Sequence, residues 1–194
     1  MADKSPKIVL STRRLRIREL TRSDSILIDR HLNNKDVLKH LDGRKMSPKE
    51  HRKFVNWLLQ QQRNFRHTFW AVERKKDSIF LGLCGLVTVD EPDSTVLGCI
   101  EIGWRFRMDI PRPGAAEEAA RSCINYAIRS LKTRRVVSRT VQENEASWKL
   151  MQRIGMYRDE RLDYLAAGEK LIVHVRRGED GPVPAGANRP KLKR

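Results

Sequence analysis

The sequence predicts a mixed α/β (α+β) fold, and three observations carry that expectation. The first half pairs capped helices with an antiparallel meander of strands. The second half reads β-α-β-α-β. Hydrophobic residues make up 39% and charged residues 33% of the 194, a globular composition with enough apolar material for a proper core.

The elements follow in chain order. Leu15-Arg16-Ile17-Arg18-Glu19-Leu20 alternates apolar and charged residues, so Arg14–Leu20 is expected to be a strand. Thr21, Ser23 and Asp24 are fair N-caps for a helix over Thr21–Leu32. Ser47-Pro48-Lys49-Glu50 is a stronger start: a cap, a proline at the first helical position and a glutamate at the third. Phe54, Trp57, Leu58 and Gln61 carry that helix to about Asn64. Thr68–Glu73 and Ile79–Val89 form a strand pair across the charged turn Arg74–Ser78. After the turn Asp90–Ser94 a third strand covers Thr95–Phe106. Ala115–Leu131 is a helix with Ala116, Ala119, Ala120, Cys123, Ala127 and Leu131 toward one side. Arg135–Val141 is a β-branched strand, and Asn144–Ile154 is a helix closed by Gly155. Met156–Leu165 and Lys170–Arg176 make a last strand pair around Ala166-Ala167-Gly168. The β-α-β crossover should be right-handed. Residues 1–177 are expected to form a single domain. Gly178–Arg194, with three prolines, three glycines and no apolar periodicity, is expected to be a disordered basic tail.

The formal net charge is +16, which draws anions: nucleic acid, phosphate-rich cofactors or acidic protein surfaces. The basic residues are scattered (Arg13, Arg14, Arg16, Arg18; Arg129, Lys132, Arg134, Arg135) rather than gathered in one block with aromatics. A charged, solvated surface therefore explains them better than specific nucleic-acid binding. No apolar run reaches membrane-spanning length, and the opening residues MADKSPKIVL are too short and polar for a secretory signal. Cys84, Cys99 and Cys123 show no CxxC or His/Cys cluster, which favours free thiols in a reduced cytoplasm and no metal site.

Two constellations can carry chemistry. At 101–131 a strand leads through a loop into a helix that opens with Gly114-Ala115-Ala116. A helix start offers unsatisfied N–H groups to a phosphate, and small residues let a ligand approach the backbone. The second constellation is Asn144-Glu145-Ala146-Ser147 with Leu150, Arg153 and Gly155, where Asn144 sits at a helix N-cap and Ser147 lies one turn along. Each alone is ordinary: a helix start rich in small residues, and a capped structural helix.

Together they resemble the GNAT superfamily of N-acetyltransferases, and more closely its branch of ribosomal-protein N-terminal acetyltransferases and small-molecule relatives. Glu101-Ile102-Gly103-Trp104 is similar to that branch's E-I-G-Y strand. Asn144-x-x-Ser147 with Arg153-Ile154-Gly155-Met156 resembles its N-x-x-S…K-x-G-F signature. Thr12-Arg13-Arg14-Leu15-Arg16-Ile17-Arg18 resembles its opening T-x-R-L-x-L-R. Phe69-Trp70-Ala71-Val72 and Leu81-Gly82-Leu83-Cys84-Gly85-Leu86 fit in order, so the resemblance covers about residues 11 to 177.

The resemblance implies a GNAT fold: a mixed central sheet of about seven strands with a splayed parallel pair, flanked by about four helices. It implies acetyl-CoA as co-substrate, lying between the strands Thr95–Phe106 and Arg135–Val141. Backbone groups near Trp104, Phe106 and Arg107 would meet the pantetheine arm. The loop and helix start, with Arg112, Pro113, Gly114, Ala115 and Ala116, would hold the pyrophosphate, and Asn144 would face the cofactor near the thioester. The implied reaction is direct attack of a primary amine, on a protein N-terminus or a small molecule, on the thioester carbonyl. Glu101 is the first candidate for the base, with an ordinary strand glutamate paired to a nearby arginine as its alternative. Ser147 is a candidate proton donor to the thiolate, and Met151 stands where many members have a tyrosine. The loop departs from the family's glycine-x-glycine: Arg112 replaces the first glycine, and Pro113 brings no N–H. Arg112 either compensates as a bidentate phosphate ligand or blocks the space. A non-catalytic module that binds CoA, RNA or an acidic protein partner is the competing reading. Trp57, Phe65, His67 and Trp70 are candidates for an acceptor wall or for plain core. His40, His51 and His174 carry no assigned role, and monomer and homodimer both stay open.

Overall fold

The structure is a computed structural model that describes residues 6–41 and 43–178. The expected tail, apart from Gly178, lies outside the described residues. Hydrogen-bonded strands follow the order β1-β2-β3-β4-β5-β6-β9-β7, with β8 beside β9, and five α-helices accompany the nine described strands. The chain divides into two compact units, Met1–Gly85 with Gly103–Cys123 and Leu86–Ile102 with Ile124–Arg194. The strands β4 (Phe80–Thr88) and β5 (Ile100–Phe106) run through both.

In the first unit, β1 (Ile8–Ser11), β2 (Leu15–Arg18) and β3 (Phe69–Arg74) form an antiparallel meander that continues onto β4. The register pairs Ile17 with Val72 on one face of the sheet and Ala71 with Leu83 on the other. Leu20, Ile28, Leu32, Val55, Leu58, Leu59, Ala71, Phe80 and Leu83 close into one buried cluster over it. Helix α3 (Pro48–Phe65) starts with the capping box that its sequence announces: the Ser47 hydroxyl accepts from the Glu50 amide, and the Glu50 carboxylate accepts from the Ser47 amide.

Helix α1 begins later than expected, at Asp24 (Asp24–Leu32), because the Asp24 carboxylate is committed elsewhere. It accepts from the Thr21 amide at 2.7 Å and takes both Nη atoms of Arg18 at 2.8 and 2.9 Å. Against the opposing cost of burial, Arg18 and Thr21 hold this carboxyl below its ordinary range. Two short elements escape sequence reading, β1 and the four-residue helix α2 (Lys35–Leu38). Asn34 caps the latter by accepting from the Val37 amide.

In the second unit, β6 (Arg135–Val141) is antiparallel to β9 (Glu169–Arg177) along its full length and parallel to β5 at Ile100↔Val136 and Glu101↔Val137. Val89, Val96, Cys99, Val137, Val173 and Val175 form its core. The strand expected over Thr95–Phe106 starts only at Ile100. Turn bonds bind the preceding segment: the Leu97 amide to Ser94 O, the Cys99 amide to Val96 O, and the amide of Gly98, at φ +77°, to Val89 O. The strand expected over Met156–Leu165 splits into β7 (Tyr157–Arg158), a 3₁₀ turn at Glu160–Leu162 and β8 (Tyr164–Ala166). Asp163 causes the break, since its carboxylate accepts from the Val173 amide at 3.0 Å and from Arg158 at 2.6 Å. These additions raise the expected seven strands and four helices to nine and five.

Candidate active site

Within the first unit, the end of β5 and the loop after it hold six of the expected cofactor residues. The Arg107 amide donates to Leu81 O at 2.9 Å, so strand alternation turns the Trp104 and Phe106 amides to the opposite edge. Trp104 is half-buried and Phe106 is buried. The Arg107 guanidinium turns away to Asp109 (2.6 and 2.7 Å) and to Phe80 O.

Three arginines grip the loop by its carbonyls. Arg14 Nη1 donates to Pro113 O at 2.9 Å, Arg74 Nη1 to Pro111 O at 3.3 Å, and Arg112 Nε to Arg107 O at 2.5 Å. Gly114 sits at φ +68°, a conformation that glycine adopts without strain, and a Cβ there would lie 3.1 Å from an Arg14 nitrogen. The Ala115 amide bonds Arg112 O at 3.1 Å, and its buried side chain opens helix α4 (Ala115–Arg129) beside half-buried Ala116.

Arg112 is the unusual member. Its guanidinium lies 5.3 Å from the Phe106 ring centroid, half-buried, and meets no carboxylate among the described residues. Burial accordingly lowers its pKa from the ordinary guanidinium value. An under-neutralised cation at the entrance to a helix N-terminus suits a phosphate-bearing ligand.

On the acceptor candidates the first unit is equally plain. Trp70 is fully buried core, and His67 is buried and stacks on Phe65 at 5.9 Å. Half-buried Trp57 packs between Phe54 and Phe69. The Phe69 ring lies against Gly103, where a Cβ would come within 2.8 Å of it.

Within the second unit, Glu101 does have an arginine partner. Arg139 Nε and Nη2 reach its two oxygens at 3.0 and 2.5 Å, and both side chains are 12% exposed. Arg139 also donates to both oxygens of Glu91 and to the Tyr164 hydroxyl. Burial pushes the Glu101 carboxyl above its ordinary range; Arg139 opposes the rise and Glu91 adds to it. Asn144 caps α5 (Glu145–Arg153): its Oδ1 accepts from the Ser147 amide at 3.3 Å, and its Nδ2 donates to Thr140 Oγ1 at 2.9 Å. Ser147 is half-buried one turn along, and Met151 is buried core. The Ser138 hydroxyl donates to Ile102 O at 2.9 Å, a second tie between β6 and β5. Arg139, Glu91 and Tyr164 are absent from the sequence-level candidates. The available signal was Arg139 itself, a charge inside the β-branched strand Arg135–Val141 that calls for a carboxylate.

By sequence family the protein is an acetyltransferase. The acetyltransferase (GNAT) domain matches residues 14–157, and the chain belongs to that family of acetyl-CoA-dependent acyltransferases. It is 30% identical over 152 residues to the Bacillus subtilis (strain 168) protein YkkB, covering 78% of this chain and 86% of that one. In fold it is similar to a GNAT-family acetyltransferase from Bacillus anthracis, with TM-score 0.71 and 21% identity over 87% of this chain and 97% of that one. It is similar also to RimL, a ribosomal L7/L12 α-N-protein acetyltransferase solved with coenzyme A, with TM-score 0.70 and 18% identity over 89% and 98%.

Proposed function

We propose that this chain is an N-acetyltransferase that moves the acetyl group of acetyl-CoA to a primary amine, on a protein N-terminus or a small molecule. The observation that carries the reading is Arg112: a half-buried guanidinium with no carboxylate partner among the described residues, in the loop that enters α4. Pro113 has no N–H and the Ala115 amide is spent on Arg112 O, so two backbone donors are missing from the loop. Arg112 replaces them as the pyrophosphate ligand, with the amides of Gly114 and Ala116 beside it.

Acetyl-CoA supplies the activated acetyl thioester. The Trp104 and Phe106 amides, with Arg107 at the strand end, guide the pantetheine arm along β5. Glu101 takes the proton of the attacking amine, directly or through a water, and its burial strengthens it as a base. The C–S bond breaks as the C–N bond forms, and the Ser147 hydroxyl donates a proton to the departing thiolate. Asn144 holds the start of α5 in place for it. RimL, a ribosomal L7/L12 α-N-protein acetyltransferase, is the precedent for a protein acceptor. Calorimetry with acetyl-CoA is the direct test: binding in the micromolar range is expected, and no heat at high micromolar ligand sinks the reading.

A further inference from the structure

All five N–H groups of Arg139 are committed in one small cluster. Nε and Nη2 hold Glu101, Nη2 and Nη1 hold Glu91, and Nη1 holds the Tyr164 hydroxyl. One guanidinium therefore serves two carboxylates, and the cluster keeps one surplus negative charge. The two carboxylates differ in setting. Glu101 is 12% exposed, on β5, while Glu91 is 55% exposed, in the connection that precedes it. Within their unit, the charged and titratable groups that face Glu101 among the described residues are Arg139 from β6, Glu91 from that connection and Tyr164 from β8.

We propose that Arg139 is a positioning residue for Glu101 and that Glu91 works against it, so that two residues with opposite effects set how Glu101 takes up and releases a proton. The inference rests on the reading of Glu101 as the base. The fork from Nε and Nη2 fixes the carboxylate plane and favours its charged form. Glu91 draws on the same guanidinium and adds a like charge nearby, which favours the protonated form. Tyr164 fills the last N–H and so holds the fork in one rotamer. A purely structural ion pair would lose stability on substitution at either carboxylate. A tuning pair moves the titration of Glu101 in opposite directions.

The experiment uses the full chain labelled with ¹³C at glutamate Cδ. The Glu101 resonance is assigned by its loss in Glu101→Gln and followed through a pH titration. Arg139→Gln is expected to raise the Glu101 midpoint by about one pH unit or more, the scale of a lost opposite charge in contact. Arg139→Lys keeps the charge without the fork and gives a smaller rise. Glu91→Gln lowers the midpoint, by less, because Glu91 is largely exposed and screened. An unchanged midpoint in Glu91→Gln, or shifts of the same sign at both positions, overturns the proposal. If Arg139→Gln does not fold, the surface variant Glu91→Gln still decides. Release of CoA from acetyl-CoA with an equimolar mixture of N-terminally free pentapeptides separates the two readings. Unchanged release in Glu101→Gln removes Glu101 as the base, whereas unmoved midpoints remove only the tuning by Arg139 and Glu91.

Discussion

Glu118, in the first turn of α4, is the anchor for Arg14, the residue just before β2. Its Oε2 accepts from Arg14 Nε at 2.6 Å, and its Oε1 accepts from the Arg14 amide at 2.9 Å and the Thr12 hydroxyl at 2.6 Å. The same Arg14 holds Pro113 O, so one carboxylate orders the β1–β2 turn and braces the loop that enters α4.

Glu118→Ala should therefore cost about 2 kcal/mol of stability, the scale for losing hydrogen bonds to a charged, partly buried group. Burial works against it, but Thr12 and Arg14 hold this carboxyl below its ordinary range. A depressed folded value means that the contribution is present above the unfolded glutamate value of about 4.3 and is lost as pH falls through the folded one. Urea midpoints at neutral pH and near pH 3 check it: the gap between wild type and variant should shrink in acid.

Arg112→Ala should weaken acetyl-CoA binding about 10-fold or more, the loss of one charge-assisted contact, and cost about 1 kcal/mol of stability for the lost bond to Arg107 O. Acetyl-pantetheine, which lacks the pyrophosphate, should lose far less. Calorimetry with both ligands decides, and equal losses would deny Arg112 its phosphate role.

Gly103→Ala places a methyl 2.8 Å from the Phe69 ring and should cost about 1 kcal/mol by overpacking. Phe69→Leu in the same chain should recover part of that loss. A double-mutant cycle of urea midpoints measures the coupling, and strict additivity would show that the ring moves aside freely.

His174 is buried on β9, and burial, with help from Arg158, lowers its pKa below the ordinary imidazole value of about 6.5. The unfolded chain then takes up a proton that the folded chain refuses, so stability falls as pH drops from about 6.5 toward the folded value. His174→Gln should flatten that slope between pH 7.5 and 5.5 in urea titrations, whatever its effect on the absolute midpoint.

Local signals were readable and distant ones were not. The Ser47–Glu50 box, the Asn144 cap and Gly155 at φ +83° are fixed within a few residues, and each stands where the sequence puts it. Thr95 and Val96 have strand propensity, yet the turn chemistry around Ser94 and Gly98 overrides it. The break at Asp163 depends on the Val173 amide, ten residues away. At the site, the spacing of Glu101, Gly114 and Asn144 could be read. The partner of Glu101 could not be named, because Arg139 lies 38 residues along the chain and meets it only through sheet pairing.

The arginine grip on the 107–113 loop has an evolutionary consequence. A phosphate cradle made of backbone amides survives almost any substitution, since every residue but proline brings the same N–H. Here Pro113 brings no such donor, and Arg112, proposed as the phosphate ligand, stands beside it with no carboxylate partner among the described residues. Affinity located in a side chain can be lost through a single codon change. It can also be retuned that way, so related chains should diverge in ligand strength at this loop long before they diverge in fold.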